Sequence, residues 1–173
     1  VSFDPQTGHI GEEPDTLIKA SADSMSISFP TPSHDGKYLL YSYSNHGVFP
    51  INSRDADLWL YDIKTGERHS LEAANSSESE SYHSWSTNSR WIVFCSRRDD
   101  GLYSRLFIAH IDEEGKASKA FILPQRNPLE YYSRSHYAYN VPEFVLRKVE
   151  YSAQEAFQEL FYDKREGVVP VRR

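Results

Sequence analysis

The chain has 173 residues and carries 25 acidic against 19 basic side chains, a formal charge of −6. That length supports one domain with a real core and is short for most two-domain enzymes. The acidic balance offers no electrostatic footprint for nucleic acid and no polybasic membrane patch. Aromatic residues at 14% argue against disorder. No apolar run exceeds about five residues, too short to cross a bilayer. One cysteine excludes an intrachain disulfide and any cysteine-rich metal or haem site.

The sequence opens at Val1 rather than Met, so either a leader has been removed or the chain is a piece of a longer one. Strand signals then dominate. The turn Ser33-His34-Asp35-Gly36-Lys37 leads into the run Tyr38-Leu39-Leu40-Tyr41-Ser42-Tyr43, a strong hairpin signal. Residues 58–63 form a second apolar run, closed by Lys64-Thr65-Gly66-Glu67. Residues 91–96 form a third, residues 106–111 a fourth closed by a Gly115 turn, and residues 121–123 a fifth ended by Pro124.

Two stretches repeat. Residues 33–41 align with residues 86–94, 53 positions on, as turn, cation, aromatic, two aliphatics, aromatic. Leu58-Trp59-Leu60 aligns with Leu106-Phe107-Ile108, and a glycine follows each, at Gly66 and Gly115. Phe3-Asp4-Pro5-Gln6-Thr7-Gly8 resembles Tyr61-Asp62-Ile63-Lys64-Thr65-Gly66, with Thr16-Leu17-Ile18 as the strand after it. A later copy begins at Tyr139-Asn140-Val141-Pro142-Glu143-Phe144.

A unit of about 40 to 50 residues holding four short strands is the mark of a β-propeller blade. An ordinary β-sandwich with a fortuitous repeat is the competing reading. The expected fold is therefore all-β: a partial β-propeller of about two complete four-stranded blades plus partial blades, with a C-terminal helix. The expected divisions are 1–30 (tail of a preceding blade and linker), 31–74 and 75–128 (blades), 129–150 (start of a further blade) and 151–173 (helix and tail). Two blades cannot close a ring of the typical four to eight, so the chain reads as part of a larger propeller. Open blade edges then predict self-association.

The helix is set by a capping box, Ser152-Ala153-Gln154-Glu155. Phe157, Leu160 and Phe161 share one of its faces, and Gly167 and Pro170 end it. That apolar stripe is expected to cover the base or edge of the sheets; docking a partner is the sharper alternative.

At the repeated unit the sequence resembles a known family. Pro32-Ser33-His34-Asp35-Gly36-Lys37-Tyr38-Leu39-Leu40-Tyr41 resembles the SPDGK-type unit of TolB-like, WD-type propeller repeats. Ser96-Arg97-Arg98-Asp99-Asp100-Gly101 and Asp57-Leu58-Trp59-Leu60-Tyr61-Asp62 resemble the S-x-R-D-G loop and the third strand of such repeats. The likeness spans about residues 1–144 and is similar in flavour to exported TolB-like proteins of Bacteroides-type bacteria. It implies an exported or periplasmic, non-catalytic module that binds a protein or glycan partner in the cell envelope. His34 departs from the usual proline, and Asn88-Ser89 replaces Asp-Gly in the second copy, where Asn is the residue suited to positive φ.

Candidate chemistry is sparse. Asp99-Asp100-Gly101 lacks the continuation of a calcium loop, and turn aspartates commonly bond their own backbone. Ser84 and Ser86 flank Trp85 near His83, but there is no Gly-x-Ser-x-Gly elbow, and neighbours on a strand point to opposite faces. Glu78 and Glu80 sit in a Ser-rich run between blades and read as a solvated connector, or as a binding loop. Histidines 9, 34, 46, 69, 83, 110 and 136 show no metal-ligand spacing, so no metal and no cofactor are expected. Cys95 reads as a core residue rather than a reactive thiol. Residues 129–139, rich in Tyr, Arg and His, suit an interface or stacking on sugars, or else packing beneath the blades. The binding residues are expected on rim loops: Asp55, Asp57, Arg97, Arg98, Tyr131 and Tyr132. The alternative function is the propeller part of a prolyl-oligopeptidase-type serine peptidase; a further one is an envelope scaffold joined through the C-terminal helix.

Overall fold

The computed structural model describes residues 1–45, 47, 49–148 and 150–162. His46, Gly167 and Pro170 lie outside them. Among the described residues, eight strands form two four-stranded antiparallel sheets, each a simple meander. The first holds β1 (Ser26–Pro32), β2 (Tyr38–Ser44), β3 (Asp57–Asp62) and β4 (Arg68–Ser70). The second holds β5 (Glu80–Trp85), β6 (Trp91–Ser96), β7 (Arg105–His110) and β8 (Phe121–Ile122). Helix α1 spans Pro128–Arg134 and α2 spans Ala153–Tyr162.

Alternation along the strands explains why the sheets stack. Tyr38 and Leu40 of β2 and Leu58 and Leu60 of β3 face one way. They meet Ile92 and Phe94 of β6 and Phe107 and Ala109 of β7 in one core, with Trp85 beside them. Leu40, Leu58, Leu60, Ile92 and Phe94 are wholly buried. Each such side chain contributes about 1.5–3 kcal/mol. The other face of the first sheet gathers Tyr41, Tyr43, Leu39 and Trp59, and Ile18, Ala20 and Met25 pack onto it. Tyr38 and Leu39 thus serve different layers although they adjoin in sequence, as a period of two requires.

The sheets run in the same sense. The β1–β2 turn meets the β5–β6 turn through the Asp35 amide, which donates to Ser89 Oγ at 3.0 Å. At the opposite end the Glu80 amide donates to the Ala56 carbonyl at 2.7 Å. Trp85 Nε1 reaches the Thr31 carbonyl between the two first strands at 3.2 Å. Two stacked four-stranded meanders with adjoining first strands are adjacent blades of a propeller, and the fold is a partial β-propeller.

The expected repeat extends further than the turns. Turns at Asp4, Asp62 and Asp112 share one construction: the aspartate Oδ1 accepts from the amide two residues on. In each, a glycine amide returns to the aspartate carbonyl, from Gly8, Gly66 and Gly115 respectively. The second hairpin turn differs from its expectation. The positive φ falls on Ser89 (58°), in the place of Gly36 (71°), and not on Asn88. Asn88 instead uses its side-chain oxygen, accepting from Ser86 Oγ and the Arg90 amide.

Three strands appear where the sequence marks none: β1, β4 and β5. The first blade accordingly starts at Ser26. Residues 16–18 form no strand, and residues 135–148 follow α1 as coil. The C-terminal helix starts on its capping box, with Ser152 Oγ accepting from the Glu155 amide and the Glu155 carboxylate accepting from the Ser152 amide. Its expected role in covering the sheets fails, because every residue of α2 is exposed. Phe157, Leu160 and Phe161 are half or more exposed, and the rings of Phe157 and Phe161 meet each other. The free face of the second sheet is met instead by the coil after α1, where Cys95 Sγ donates to the Asn140 carbonyl at 3.0 Å.

Candidate functional site

Strand direction puts every expected binding residue on one rim. That rim carries the described part of the β2–β3 loop (45, 47 and 49–56), the inter-blade connector (71–79), the β6–β7 loop (97–104) and the α1 segment after β8. The six residues fall there in two groups.

The first group lies at the seam between blades. Asp55 Oδ2 accepts from the Asn45 amide at 2.6 Å. Asp57 opens β3 and is half-buried. Burial, with the negative charges of Glu80 and Asp55 added, pushes its carboxyl up to about 6. Arg97 spans the seam to Asn52 Oδ1 at 2.8 Å. Arg98 turns inward: it pairs with Glu80 at 2.9 Å, reaches Ser96 Oγ and the Ala74 carbonyl, and lies over the rings of Phe94 and Phe107. Arg98 therefore holds the connector onto the sheet.

Glu80 corrects the reading of a solvated connector. Its residue is wholly buried. Its carboxylate accepts from Ser76 Oγ (2.6 Å), the Ser76 amide (3.1 Å), Ser96 Oγ (2.8 Å) and Arg98. A buried carboxylate survives only when it is paired and hydrogen-bonded in this way. Glu78, two residues earlier, points outward to an ion pair with Arg54.

The second group surrounds Arg105, which is not among the residues expected from the sequence to bind. Arg105 opens β7 on the inward phase of that strand and is 1% exposed. Its guanidinium lies over the rings of Tyr103 and Tyr132. Nη1 donates to Ser135 Oγ and the Tyr137 carbonyl; Nη2 donates to the Tyr132 and Ser135 carbonyls and to Asp100 at 3.5 Å. This one side chain anchors α1 and the coil after it. Tyr132 is buried, its hydroxyl donating to the Leu123 carbonyl. Tyr131 points the other way and joins Tyr137 and Tyr139 in a hydroxyl cluster. Two open cavities result. One, of about 460 Å³, lies along Tyr131, Tyr137, Gln125 and Arg126. The other, of about 480 Å³, lies along Arg105, Asp99, Asp100, Tyr103 and His136.

The hydrolase trio is not assembled. His83 is buried, bonds the Leu40 carbonyl through Nε2 at 3.2 Å, and burial pushes it down to about 4. Ser86 Oγ is engaged with Asn88 within its turn. Burial pushes the Cys95 thiol up to about 11, which suits its core position. Among the described residues no three His, Cys, Asp or Glu side chains are grouped to hold a metal, and no helix is long and apolar enough to cross a membrane.

No family model matches the chain, and no curated protein matches it in sequence. Solved structures do. The β-propeller domain of the Trilobed protease from Pyrococcus furiosus is 16% identical with a TM-score of 0.39, over 58% of this chain and 30% of that one. A structure from work on two prolyl endopeptidases is 13% identical with a TM-score of 0.34, over 69% of this chain and 24% of that one. The chain thus spans under a third of the length of each of these structures.

Proposed function

We propose that the chain is a non-catalytic, TolB-like propeller module that binds a protein or glycan partner through one rim, in the cell envelope. One observation carries this reading: the loops of a single rim carry both Asp55, Asp57 and Arg97 at the seam and the tyrosine-lined cavities beside α1. Stacked blades form a rigid base, and loops on a rigid base are where recognition commonly sits. Tyrosine and arginine supply large contacts that combine apolar area with hydrogen bonding. The TolB-like part of the reading rests on the repeated turn and strand motifs.

The test is binding to glycan and peptide arrays, with Tyr131→Ala and Arg97→Ala as controls that leave the blade core untouched. The expected result is binding to members of one array, weakened about tenfold by at least one variant, a loss of about 1.4 kcal/mol. Binding to neither array, or binding that both variants retain in full, overturns the proposal. The alternative, a propeller that gates a prolyl-oligopeptidase-type peptidase, would use the same rim against a catalytic domain. A Gly-x-Ser-x-Gly domain encoded next to this segment would establish it.

A further inference from the structure

The contact between the two blades has a knob and a socket. Tyr38 and Leu40 of β2 face the second blade and are 5% and 0% exposed. The Tyr38 ring lies against the turn that ends at Gly115, where a Cβ would come within 3.0 Å of it. Its hydroxyl donates to the Glu113 carbonyl of that turn at 3.2 Å, and Lys37 Nζ donates to the same oxygen. His69 Nε2 reaches the Gly115 carbonyl at 3.1 Å.

The second blade repeats the knob and leaves it uncovered. The 53-residue offset puts Arg90-Trp91 where Lys37-Tyr38 stand in the first blade. Trp91 pairs with His110, Val93 with Ile108, and Ile108 with Phe121, so these side chains share the side of the sheet turned away from the first blade. Trp91 stands edge-on to both His110 and Phe121, with centroids 5.0 Å and 6.5 Å away. The coil after α1 covers the Cys95 end of this face, whereas Trp91 is 36% and Phe121 44% exposed.

The first blade carries a matching socket on its own outer side. Gly66 closes the Asp62 turn as Gly115 closes the Asp112 turn. A Cβ at Gly66 would find its nearest neighbour in Tyr61 Oη of the same blade, at 3.7 Å, and no aromatic ring from another blade lies there. Beside it is an open cavity of about 200 Å³, lined by Gly66, Tyr61, Arg68, Ile18, Ala22 and Asp23. An indole, apolar on its faces and carrying an N–H donor, suits walls that mix aliphatic, aromatic and carboxylate groups. Trp91 and this socket lie on opposite outer faces of the two-blade stack, so one chain cannot fill its own.

We propose that a second copy of this chain docks on the Trp91 face, with Trp91 of one copy entering the Gly66 socket of the next and repeating the Tyr38–Gly115 contact between copies. The step continues the blade interface found inside each copy and runs one way round, which makes the contact heterologous. Propellers close at about four to eight blades, so about two to four copies complete a ring. A tryptophan at the centre of such a patch carries a large share of the binding.

The test is sedimentation velocity of the whole chain from about 1 to about 200 μM. The expected result is a mass that rises from one chain to a plateau at two to four. Trp91→Asp and Phe121→Glu spoil the knob face, and Ala22→Trp, an exposed change, fills the socket. Each variant should keep the parent's circular dichroism and weaken assembly at least tenfold. A mixture of Trp91→Asp with Ala22→Trp retains one good knob and one good socket and should form a one-to-one pair. Should Trp91→Asp fail to fold, Phe121→Glu takes its place in the mixture. A parent that stays monomeric to the highest concentration overturns the proposal, as does a mass that climbs without a plateau. Assembly that survives both knob variants overturns it too. Assembly that survives Ala22→Trp would mean that two Trp91 faces meet each other, and a mixture that forms no pair would mean that knob and socket do not.

Discussion

Phe29 and Tyr82 occupy the same place in successive blades, 53 residues apart, and their rings meet with centroids 5.0 Å apart. Both have positive φ, 54° and 46°. Each sits in a bulge: the β1–β2 register slips between Ser28 and Thr31, and the β5–β6 register between Ser81 and Ser84. A left-handed aromatic residue is strained, and two at equivalent positions show that the bulge belongs to the repeat itself.

That strain makes an unusual ordering of substitutions. Alanine at either position removes the ring and keeps the backbone cost. Glycine removes the ring and relieves the cost, by about 1 kcal/mol. Phe29→Ala and Tyr82→Ala should therefore be less stable than Phe29→Gly and Tyr82→Gly, the reverse of the usual order in strands. Chemical denaturation of the four variants decides it; alanine above glycine at both positions would show the left-handed geometry to be absent.

The Glu80–Arg98 pair should behave as a buried charge pair. Arg98→Met leaves the Glu80 carboxylate buried with only Ser76 and Ser96 to satisfy it, at a cost of about 3–5 kcal/mol. Adding Glu80→Gln removes the uncompensated charge, so the double variant should recover much of that loss. A double variant no more stable than Arg98→Met would mean that the arginine acts by covering Phe94 and Phe107, not by pairing.

Much of this fold is legible in the sequence, and the parts that are not share a cause. The middle strands β2 and β6 are buried along most of both faces, β3 and β7 mainly on alternate residues, and the apolar runs of all four stand out. The first strand of each blade is polar or broken: β1 contains Pro30 and Pro32, and β5 reads Glu80-Ser81-Tyr82-His83-Ser84-Trp85. Bulged strands lose the alternation on which strand recognition depends. The repeat was available to find them, because Phe29 and Tyr82 extend the same 53-residue offset that relates the two turns. The rim placement of Asp55, Asp57, Arg97, Arg98, Tyr131 and Tyr132 follows from strand order alone. The roles of Glu80 and Arg105 do not, since a charge in a Ser-rich run or at a strand's first position normally faces water. The partners that bury them lie about 16–30 residues away in sequence. Only the inward phase of Arg105 with Phe107 and Ala109 hinted at it.

Asp57 should destabilise the protein at neutral pH. Its carboxyl is pushed up from 3.8 to about 6, by burial first and by Glu80 and Asp55 after. Between those values the native state holds more protons than the unfolded chain, so this group's penalty is full above about pH 6 and disappears as pH falls toward 4. Asp57→Asn is expected to stabilise the fold by about 1–2 kcal/mol at pH 7.5, discounted for partial exposure, and to be neutral near pH 4. Urea melts at the two pH values test this; a gain that does not change with pH would assign the effect to packing.

His83 has the opposite sign over the same range. Burial drives its imidazole down from 6.5 to about 4, so the folded protein holds it neutral against the Leu40 carbonyl. Below about pH 6.5 the unfolded chain takes up a proton that the native state refuses, and stability is lost as pH falls toward 4. His83→Gln can keep a donor to Leu40 but cannot titrate. It should be less stable than the parent at pH 7.5, through poorer fit, and should gain on the parent by about 2–3 kcal/mol by pH 4. Because Asp57 acts in the reverse direction, the parent's own profile between pH 4 and 6 is shallow, and only the difference between variant and parent exposes the histidine. Parallel profiles for parent and His83→Gln would mean that the imidazole is solvated and charges freely within the fold.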